Sequence, residues 1–421
     1  MIDFEEIKKN PEKYREAIRK KRIPLNLDQL LAIAEERKNT KHEVDALRHE
    51  RNKVTDEVKV GTNKEENIRR GRAIGTQLKT AEISLNDLNK TYDELTALVP
   101  GVPEEDVPEG ETDEDNCETK RWGTPRKFDF EPKDHLELAA MHKMVNFEGA
   151  RQIAGSRAYA LTGTGALLEM AVLQFALQHV LKKGFTPVLP PLMVNENAMF
   201  GTGYFPLGEE SAYHIAKDDL FLTGTSEVGT CAIHMNETFD EQALPLRLVG
   251  ISPCFRREAG AAGRDTKGFY RVHQFQKVEQ VVICSNGAGT SRVEHDALLK
   301  NAEEILQALE LPFRVVAVCT GDMGLGQVRK HDIETWMPSR NAYGETHSCS
   351  TFYEFQARRL NMRYRDKEGK KHYVHTLNNT AIASPRILIP LLENHQNRDG
   401  TINIPKALQP FLCGKEILEP C

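Results

Sequence analysis

The sequence predicts an α+β protein: an N-terminal antiparallel coiled-coil hairpin, then a larger domain on an antiparallel β-sheet flanked by helices. Three observations carry this. Apolar residues recur at spacings of three and four in two long runs around a Gly61-Thr62-Asn63 break. From about Trp122 the pattern changes to mixed helical and strand-like segments joined by short loops. No repeated alternation of strand and helix is present, which argues against a parallel sheet.

At 421 residues the chain exceeds one ordinary domain, and 39% apolar content is enough for a real core. No run approaches the roughly 18 apolar residues needed to span a bilayer. The opening MIDFEEIKKNPEKY has no apolar stretch of the secretory kind, so a cytoplasmic protein is expected. The eight cysteines (Cys117, Cys231, Cys254, Cys284, Cys319, Cys349, Cys413 and Cys421) contain no CxxC pair and read as free thiols in a reducing compartment. Cys231 and His234 would make only half a metal site, so no protein-bound zinc is expected.

The elements follow in order. Asp3 with Glu6 has the form of a capping box, and Asn10-Pro11 sets a capping side chain before a proline at the first helical position. Leu30, Ile33, Arg37, Thr40, Val44, Leu47, Arg51, Val54 and Val58 then form one seam. Gly71, Ile74, Leu78, Ala81, Leu85, Leu88, Tyr92 and Leu95 form the other. Arg37, Thr40, Arg51 and Gly71 interrupt the apolar stripe, which predicts an arm of moderate stability. Read alone, a charged coiled coil fits a solvated spacer and an RNA-binding arm equally. The arm spans 1–99, an acidic linker 100–121, and the larger domain 122–421.

That linker holds nine acids and no base between residues 101 and 119. It more than accounts for the net charge of −6; the rest of the chain is +3, and residues 1–100 alone are +2. Overall acidity therefore does not exclude a polyanionic partner. Beyond it, ALLEMAVLQFALQHVLKKG (166–184) reads as an amphipathic helix, and LPLRLVGIS, RVVAVC and KHYVHTL read as strands. GFTPVLPPLMV (184–194) carries Pro190 and Pro191, which places this strand at an edge or an interface.

Four segments carry chemistry. In LTGTSEVGT (222–230), Thr225, Ser226 and Glu227 put a carboxylate beside two hydroxyls, which suits an ammonium group or simple surface capping. FRREAGAAGRDTKGFYRVHQFQKVE (255–279) reads as a basic hairpin with a long loop. Its Arg256 and Arg257 suit phosphate oxygens, and Phe275 offers a face for a purine; a solvated basic hairpin is the alternative. In GETHSCSTFYEFQARR (344–359), Glu345 and Ser348 offer hard oxygens for Mg²⁺ carried by a nucleotide. HTLNNTAIASPRILIPLLENHQ (375–396) runs strand, turn and helix, with Arg386 where the helix begins. There is neither GxxxxGK[ST] nor GxGxxG, so a nucleotide site here would be built from arginines on an antiparallel sheet.

Taken in order, GFTPVLPP, TSE, the long FRREAG…QFQKVE stretch, ETHSCS…FQARR and HTLNN…SPR resemble the class II aminoacyl-tRNA synthetases. The first, third and last are similar to that class's motifs 1, 2 and 3. The TSE triplet and the form of motif 2 are similar to the seryl-specific members, and the resemblance covers nearly the whole chain. It implies a class II catalytic domain that makes seryl-adenylate from serine and ATP, then transfers serine to the terminal adenosine of tRNA(Ser). Whether tRNA(Sec) is also served stays open.

The same resemblance implies roles for the site residues. Arg256 meets the α-phosphate and the serine carboxylate, Arg386 the γ-phosphate, and Glu258, Val272 and Phe275 the adenine. Arg257, Thr346 and His347 flank the ATP site, and Glu345 and Ser348 hold Mg²⁺ between phosphates. Thr225, Ser226, Glu227 and Glu279 take serine, with Asn378 and Thr380 completing that pocket. The Gly-rich turn of motif 2 meets the acceptor end of the tRNA. Two departures from the family pattern stand out: His347 and Thr351 replace a serine and an asparagine, and NNTA (378–381) replaces a small NGSG turn.

The arm is implied to grip tRNA(Ser) through Lys41, Arg48, Arg51, Lys53, Lys59, Lys64, Arg69, Arg70, Arg72 and Lys79. A homodimer is implied, with the strand around Pro191 at its interface. Two rivals are weaker. A ligase that charges a carrier protein would lack the arm and hold zinc. A degenerate paralogue would not keep Arg256, Glu279, Glu345 and Arg386.

Overall fold

The computed structural model describes residues 3–61, 63–259 and 268–421. Two compact units divide the chain, residues 1–100 and 101–421.

The first unit is helical. Helices α1 (Phe4–Lys9) and α2 (Pro11–Lys20) precede the long pair α3 (Leu27–Val60) and α4 (Lys64–Ala97), which pack against each other as the heptad spacing predicts. Asn26 caps α3, accepting from the backbone N–H of Asp28 and Gln29, and Gly61 ends it at φ +90°, a conformation that costs other residues. Asp3 caps α1, but Asn10 makes no side-chain cap; its amide donates instead to Glu6, 2.9 Å away.

The seam is thin at its middle: Val44, Leu78 and Ala81 are buried, with Leu47 and Leu85 partly so. The polar interruptions are accommodated individually. Arg37 donates to Asn89 at 2.5 Å and lies over the Tyr92 ring, 4.6 Å from its centroid. Gly71 leaves room for Val54. Arg48 pairs with Glu82 (2.8 Å) and Arg70 with Glu50 (2.6 Å) across the hairpin, all four side chains well exposed.

The second unit is built on an eight-stranded sheet. Its strands are β1 (Cys117–Trp122), β2 (Thr186–Val188), β3 (Leu246–Phe255), β4 (Gln274–Cys284), β5 (Phe313–Ala317), β6 (Arg329–Met337), β7 (Ala342–Tyr353) and β8 (His375–Ser384). They lie in the order β1-β5-β6-β7-β8-β4-β3-β2, and every pair is antiparallel except the short edge strand β2 against β3. Pro187 sits in that edge strand, where a missing N–H costs no ladder bond, and Pro190 and Pro191 follow it outside the ladder.

Helices α5 (Gly163–Leu181) and α7 (Ala288–Ala308) pack on the sheet, and their Leu168, Val172, Leu298 and Ile305 join Val278, Val282 and Ile382 in one core. By length and composition α5 could cross a membrane, against the expectation that no run reaches that length; yet Leu168, Val172, Ala176 and Val180 are buried in the core. Polar groups pin α7 in place. Gln280 and Asn379 both donate to the Leu298 carbonyl, at 3.4 and 2.5 Å, and Asn301 donates to Gln280 at 2.7 Å.

The stretch expected to be a linker, 100–121, is largely part of this second unit. Glu104 accepts from Arg292 (2.6 Å) and Arg329 (2.8 Å), and Asp106 from Arg329. The backbone of Glu104 bonds Val328, and residues 117–122 form β1 at the sheet edge. Composition signalled solvation; the arginines of the sheet domain supply the partners that dock it.

Candidate active site

Alternation along β4 puts Phe275, Lys277 and Glu279 on the sheet face opposite the helices, while Val278, Gln280 and Val282 face the core. Strand β8 lies beside β4 with Thr380 opposite Glu279, and β7 lies beyond it. On this face a cavity opens, lined among others by Arg256, Glu258, Val272, Phe275, Glu345, Ser348, Thr380 and Arg386. Residues from four sequence segments thus meet because three adjacent strands and the β3–β4 connection present them to one side.

The arginines are held by backbone. Arg256, just past β3, donates from Nε to the Gly224 carbonyl (3.1 Å) and lies over the Phe275 ring, 5.2 Å from its centroid. Arg386 donates to the carbonyls of Tyr270 (3.1 Å) and Glu345 (3.2 Å), lies over the Tyr270 ring and stands 3.5 Å from the Glu345 carboxylate. Most guanidinium donors are left for a polyanion. Glu258 takes φ +54°, unusual for a side-chain-bearing residue, and its carboxylate accepts from Arg271 at 3.3 Å.

Glu345 faces the cavity. Partial desolvation in the cleft works against its charge, though the side chain is 47% exposed; Arg386 first, then Lys330, Arg256 and Lys277, hold its carboxyl below the ordinary range. Behind it stands Asp332 of β6, opposite Ser348 in register and pushed up to about 6 by burial despite Lys330 at 3.0 Å. Asp332 Oδ1 is buried without a hydrogen-bond partner among the described residues.

At the other end lie the residues expected to hold serine. Thr225 caps the short helix α6 (Ser226–Ala232), and its hydroxyl also accepts from Lys277 Nζ at 3.3 Å. Lys277 reaches Glu279 at 2.5 Å. Glu227 is buried and accepts from Gln356 at 2.7 Å; burial, and then the neighbouring Glu279, push its carboxyl up to about 7. Burial also raises Glu279, opposed by Lys277, Arg256 and the Thr380 hydroxyl.

Several residues sit differently from expectation. Ser226 donates to the Gly250 carbonyl (3.2 Å), anchoring α6 to β3. Arg257 is exposed and outside the cavity lining, because alternation turns it away from Arg256. His347 is buried beneath the site and does not line the cavity; it donates to the Ala381 carbonyl (3.1 Å), contacts Thr346 Oγ1 (2.8 Å) and is pushed down to about 4 by burial, hence neutral. Thr346 lines the cavity, but its hydroxyl points to Thr335, 2.6 Å away. Thr225, Glu227, Glu279 and Asn378 lie just behind the lining rather than on it. The Gly-rich turn expected to meet tRNA falls almost wholly on 260–267, outside the described residues.

Sequence reasoning missed Lys277, Asp332, Gln356 and Tyr270. Lys277 was within reach: two residues from both Phe275 and Glu279, it had to share their face. Cys231 Sγ lies 3.9 Å from Gln356, and His234 pairs with Glu237 at 2.6 Å.

Comparisons with known proteins agree with this geometry. The family model of the seryl-tRNA synthetase N-terminal domain matches residues 1–103, and that of the class II tRNA synthetase core domain (G, H, P, S and T) matches 213–395. A serine–tRNA ligase of Deinococcus radiodurans is 45% identical over 99% of both chains, and one of Methanocella arvoryzae is 42% identical over 99% of this chain and all of its own. Among solved structures, the ATP complex of Pyrococcus horikoshii seryl-tRNA synthetase matches with a TM-score of 0.89 at 37% identity over the whole of both chains. The AMP complex of the Naegleria fowleri cytoplasmic enzyme matches with 0.83 at 28% identity, over 98% of this chain and 96% of its own. With this identity running end to end, the chain belongs to the seryl-tRNA synthetase family of class II aminoacyl-tRNA synthetases.

Proposed function

We propose that the chain activates L-serine with ATP to form seryl-adenylate and pyrophosphate, then passes serine to the terminal adenosine of tRNA(Ser). The observation that carries this is one cavity joining two chemistries. Arg256, Arg386 and Phe275 suit a triphosphate and a base, and Lys277 and Thr380 lead from them to a buried pair of carboxylates suited to a small amino acid.

In the first step a serine carboxylate oxygen attacks the α-phosphorus and the bond to pyrophosphate breaks. Arg256, fixed by Gly224 and Phe275, offsets the charge growing on the α-phosphate. Arg386, tied to Tyr270 and Glu345, holds the γ-phosphate and so the angle of the leaving group. Phe275 and Glu258 receive the adenine. Glu345 and Ser348, with Asp332 behind them, would hold Mg²⁺ arriving with ATP. The unpartnered Asp332 oxygen suits a cation, and such an ion neutralises phosphate charge. In the second step a ribose hydroxyl attacks the carbonyl and AMP leaves. Glu279 and Thr380 meet the serine hydroxyl, Glu227 and Thr225 its ammonium, and Asn378 shapes the wall between them.

The arm would hold the tRNA through its exposed Lys41, Arg51, Lys53 and Arg69, among others, reading backbone shape rather than sequence. Exposed Leu167 and Met170 on α5, with Leu189 and Met193 after it, support a homodimer. We place the enzyme in the cytoplasm, where charged tRNA is consumed.

Serine-dependent ATP–pyrophosphate exchange, run beside threonine, alanine and glycine, tests the first step. Exchange with serine strongly preferred is expected, and no exchange with serine would sink the reading. Removing residues 30–97 should spare exchange and abolish tRNA charging.

A further inference from the structure

Lys277 stands between the open cavity and the acids that the substrate has to reach. It lines the cavity; Thr225, Glu227 and Glu279 do not. Its side chain is about 10% exposed, against 1% for that of Glu279, and its Nζ bridges Glu279 (2.5 Å) and Thr225 Oγ1 (3.3 Å). Two buried carboxylates from different elements, Glu227 on α6 and Glu279 on β4, both feel Lys277, and Glu227 also feels the charge of Glu279. Two buried acids that interact in this way stay ionised together only with a compensating cation.

Resting on the functional reading above, we propose that Lys277 is a resident cation of the serine subsite: in the free enzyme its ammonium occupies the place at Thr225 that the serine ammonium later takes. While there, it favours the ionised form of both carboxylates and aims Glu279. With both carboxylates ionised, the pair and Lys277 carry a net charge of −1, one unit short of neutral, and a serine ammonium supplies that unit. A hydroxy acid without an ammonium gains nothing from dislodging Lys277, so the resident cation also selects for an amino group.

The surroundings leave Lys277 in charge of this balance. Cys231 and Cys254 face the pair, and burial pushes both thiols up, so both are neutral. Gln356 and Asn378 on the Glu227 side and Thr380 on the Glu279 side are uncharged donors. Among the described residues, Arg256 is the other cation that reaches Glu279, and it acts on that carboxylate more weakly than Lys277 does. Glu345 feels Lys277 more weakly than it feels Arg386.

The test measures exchange against serine and against ATP, from about pH 6 to about pH 9, for the unmodified chain, Lys277→Met and Lys277→Arg. In Lys277→Met the pair takes up a proton at higher pH. The acid limb of kcat/KM for serine should therefore move up by about one unit or more, and the serine KM near neutrality should rise by about tenfold or more. The defect should shrink as pH rises and both carboxylates ionise again, and the KM for ATP should change less than about threefold. Lys277→Arg should restore the limb. A serine defect that is the same at every pH, an ATP defect of equal size, or an Arg variant shifted as far as the Met variant would overturn the proposal. Lys277→Gln, nearer in shape and polarity, is read the same way if Met prevents folding. If every uncharged variant unfolds while Lys277→Arg folds, serine binding to Lys277→Arg at each pH decides, and a shifted limb there overturns it. All values are ratios to the unmodified chain, so a failure here is separate from absence of serine-dependent exchange, which would strike the functional reading itself.

Discussion

In the α3–α4 hairpin the charges stand in water: Arg48–Glu82 and Arg70–Glu50 join exposed side chains, and Lys41, Arg51, Lys53 and Arg69 are exposed beside them. In the cleft, Glu227, Glu279 and Asp332 are buried, each has a raised pKa, and each answers to particular neighbours. The difference teaches how binding work is divided. A surface that meets a long polyanion spreads it over many weak, interchangeable contacts, each screened by salt. A cleft that must tell serine from its neighbours concentrates it in a few groups whose loss nothing replaces.

The sharpest break of this contrast is Arg256→Ala. If Arg256 meets the reacting phosphate as proposed, its loss should cut serine-dependent exchange by about 10³-fold or more, with thermal stability nearly unchanged. If exchange fell by less than about tenfold, the cleft would be as redundant as the arm.

The arm's own weak point is its apolar seam. Leu78→Ala removes a buried contact with Val44 and should cost about 2–4 kcal/mol locally. Circular dichroism should show early helix loss, and the KM for tRNA should rise while exchange stays normal.

Glu227→Gln probes the tension inside the cleft. Its carboxyl is raised above the usual 4.5 to about 7, so the folded state binds more protons than the unfolded one between those values. Stability is therefore lost as pH rises through that window, and the penalty is complete above about pH 7. The neutral glutamine should raise stability above that pH by about 1–3 kcal/mol and leave it unchanged below about pH 4.5. It should also weaken serine binding, the usual exchange between stability and activity. Denaturant melts at the two pH values, with serine KM beside them, decide this.

The smallest effect belongs to single arm charges. Lys53→Ala should raise the KM for tRNA less than about threefold and reduce the salt slope by about one. Arg70→Ala should leave arm stability nearly unchanged. A tenfold loss at either position would mark a specific contact and blur the division drawn above.

What could be read from the sequence follows the same line. The hairpin was legible because 3.5-residue periodicity needs no distant partner. The strand and helix on either side of Arg386 were legible as local patterns too, but NNTA (378–381), read as a turn, lies inside β8. Residues 100–121 were not, because their docking depends on Arg292 and Arg329, far along the chain. For the same reason Asp332 was invisible: only the β6–β7 register brings it beside Ser348. His347 sat next to motif residues in sequence, but the alternation of β7 turned it beneath the sheet. Composition reports what a side chain prefers; it does not report which side of a strand faces which partner.

The Leu298 carbonyl receives two amides, from Gln280 and Asn379 on neighbouring strands. Each of those residues directly precedes or follows in sequence one that faces the cleft: Glu279 stands before Gln280, and Thr380 after Asn379. One oxygen on α7 therefore acts as a locating pin for the reverse side of the sheet. It fixes the lateral alignment of β4 against β8, and with it the gap between the Glu279 carboxylate and the Thr380 hydroxyl, the two groups proposed to measure the substrate. An apolar core alone would tolerate a slight slide of helix over sheet; this pin converts core rigidity into calibration of the opposite face.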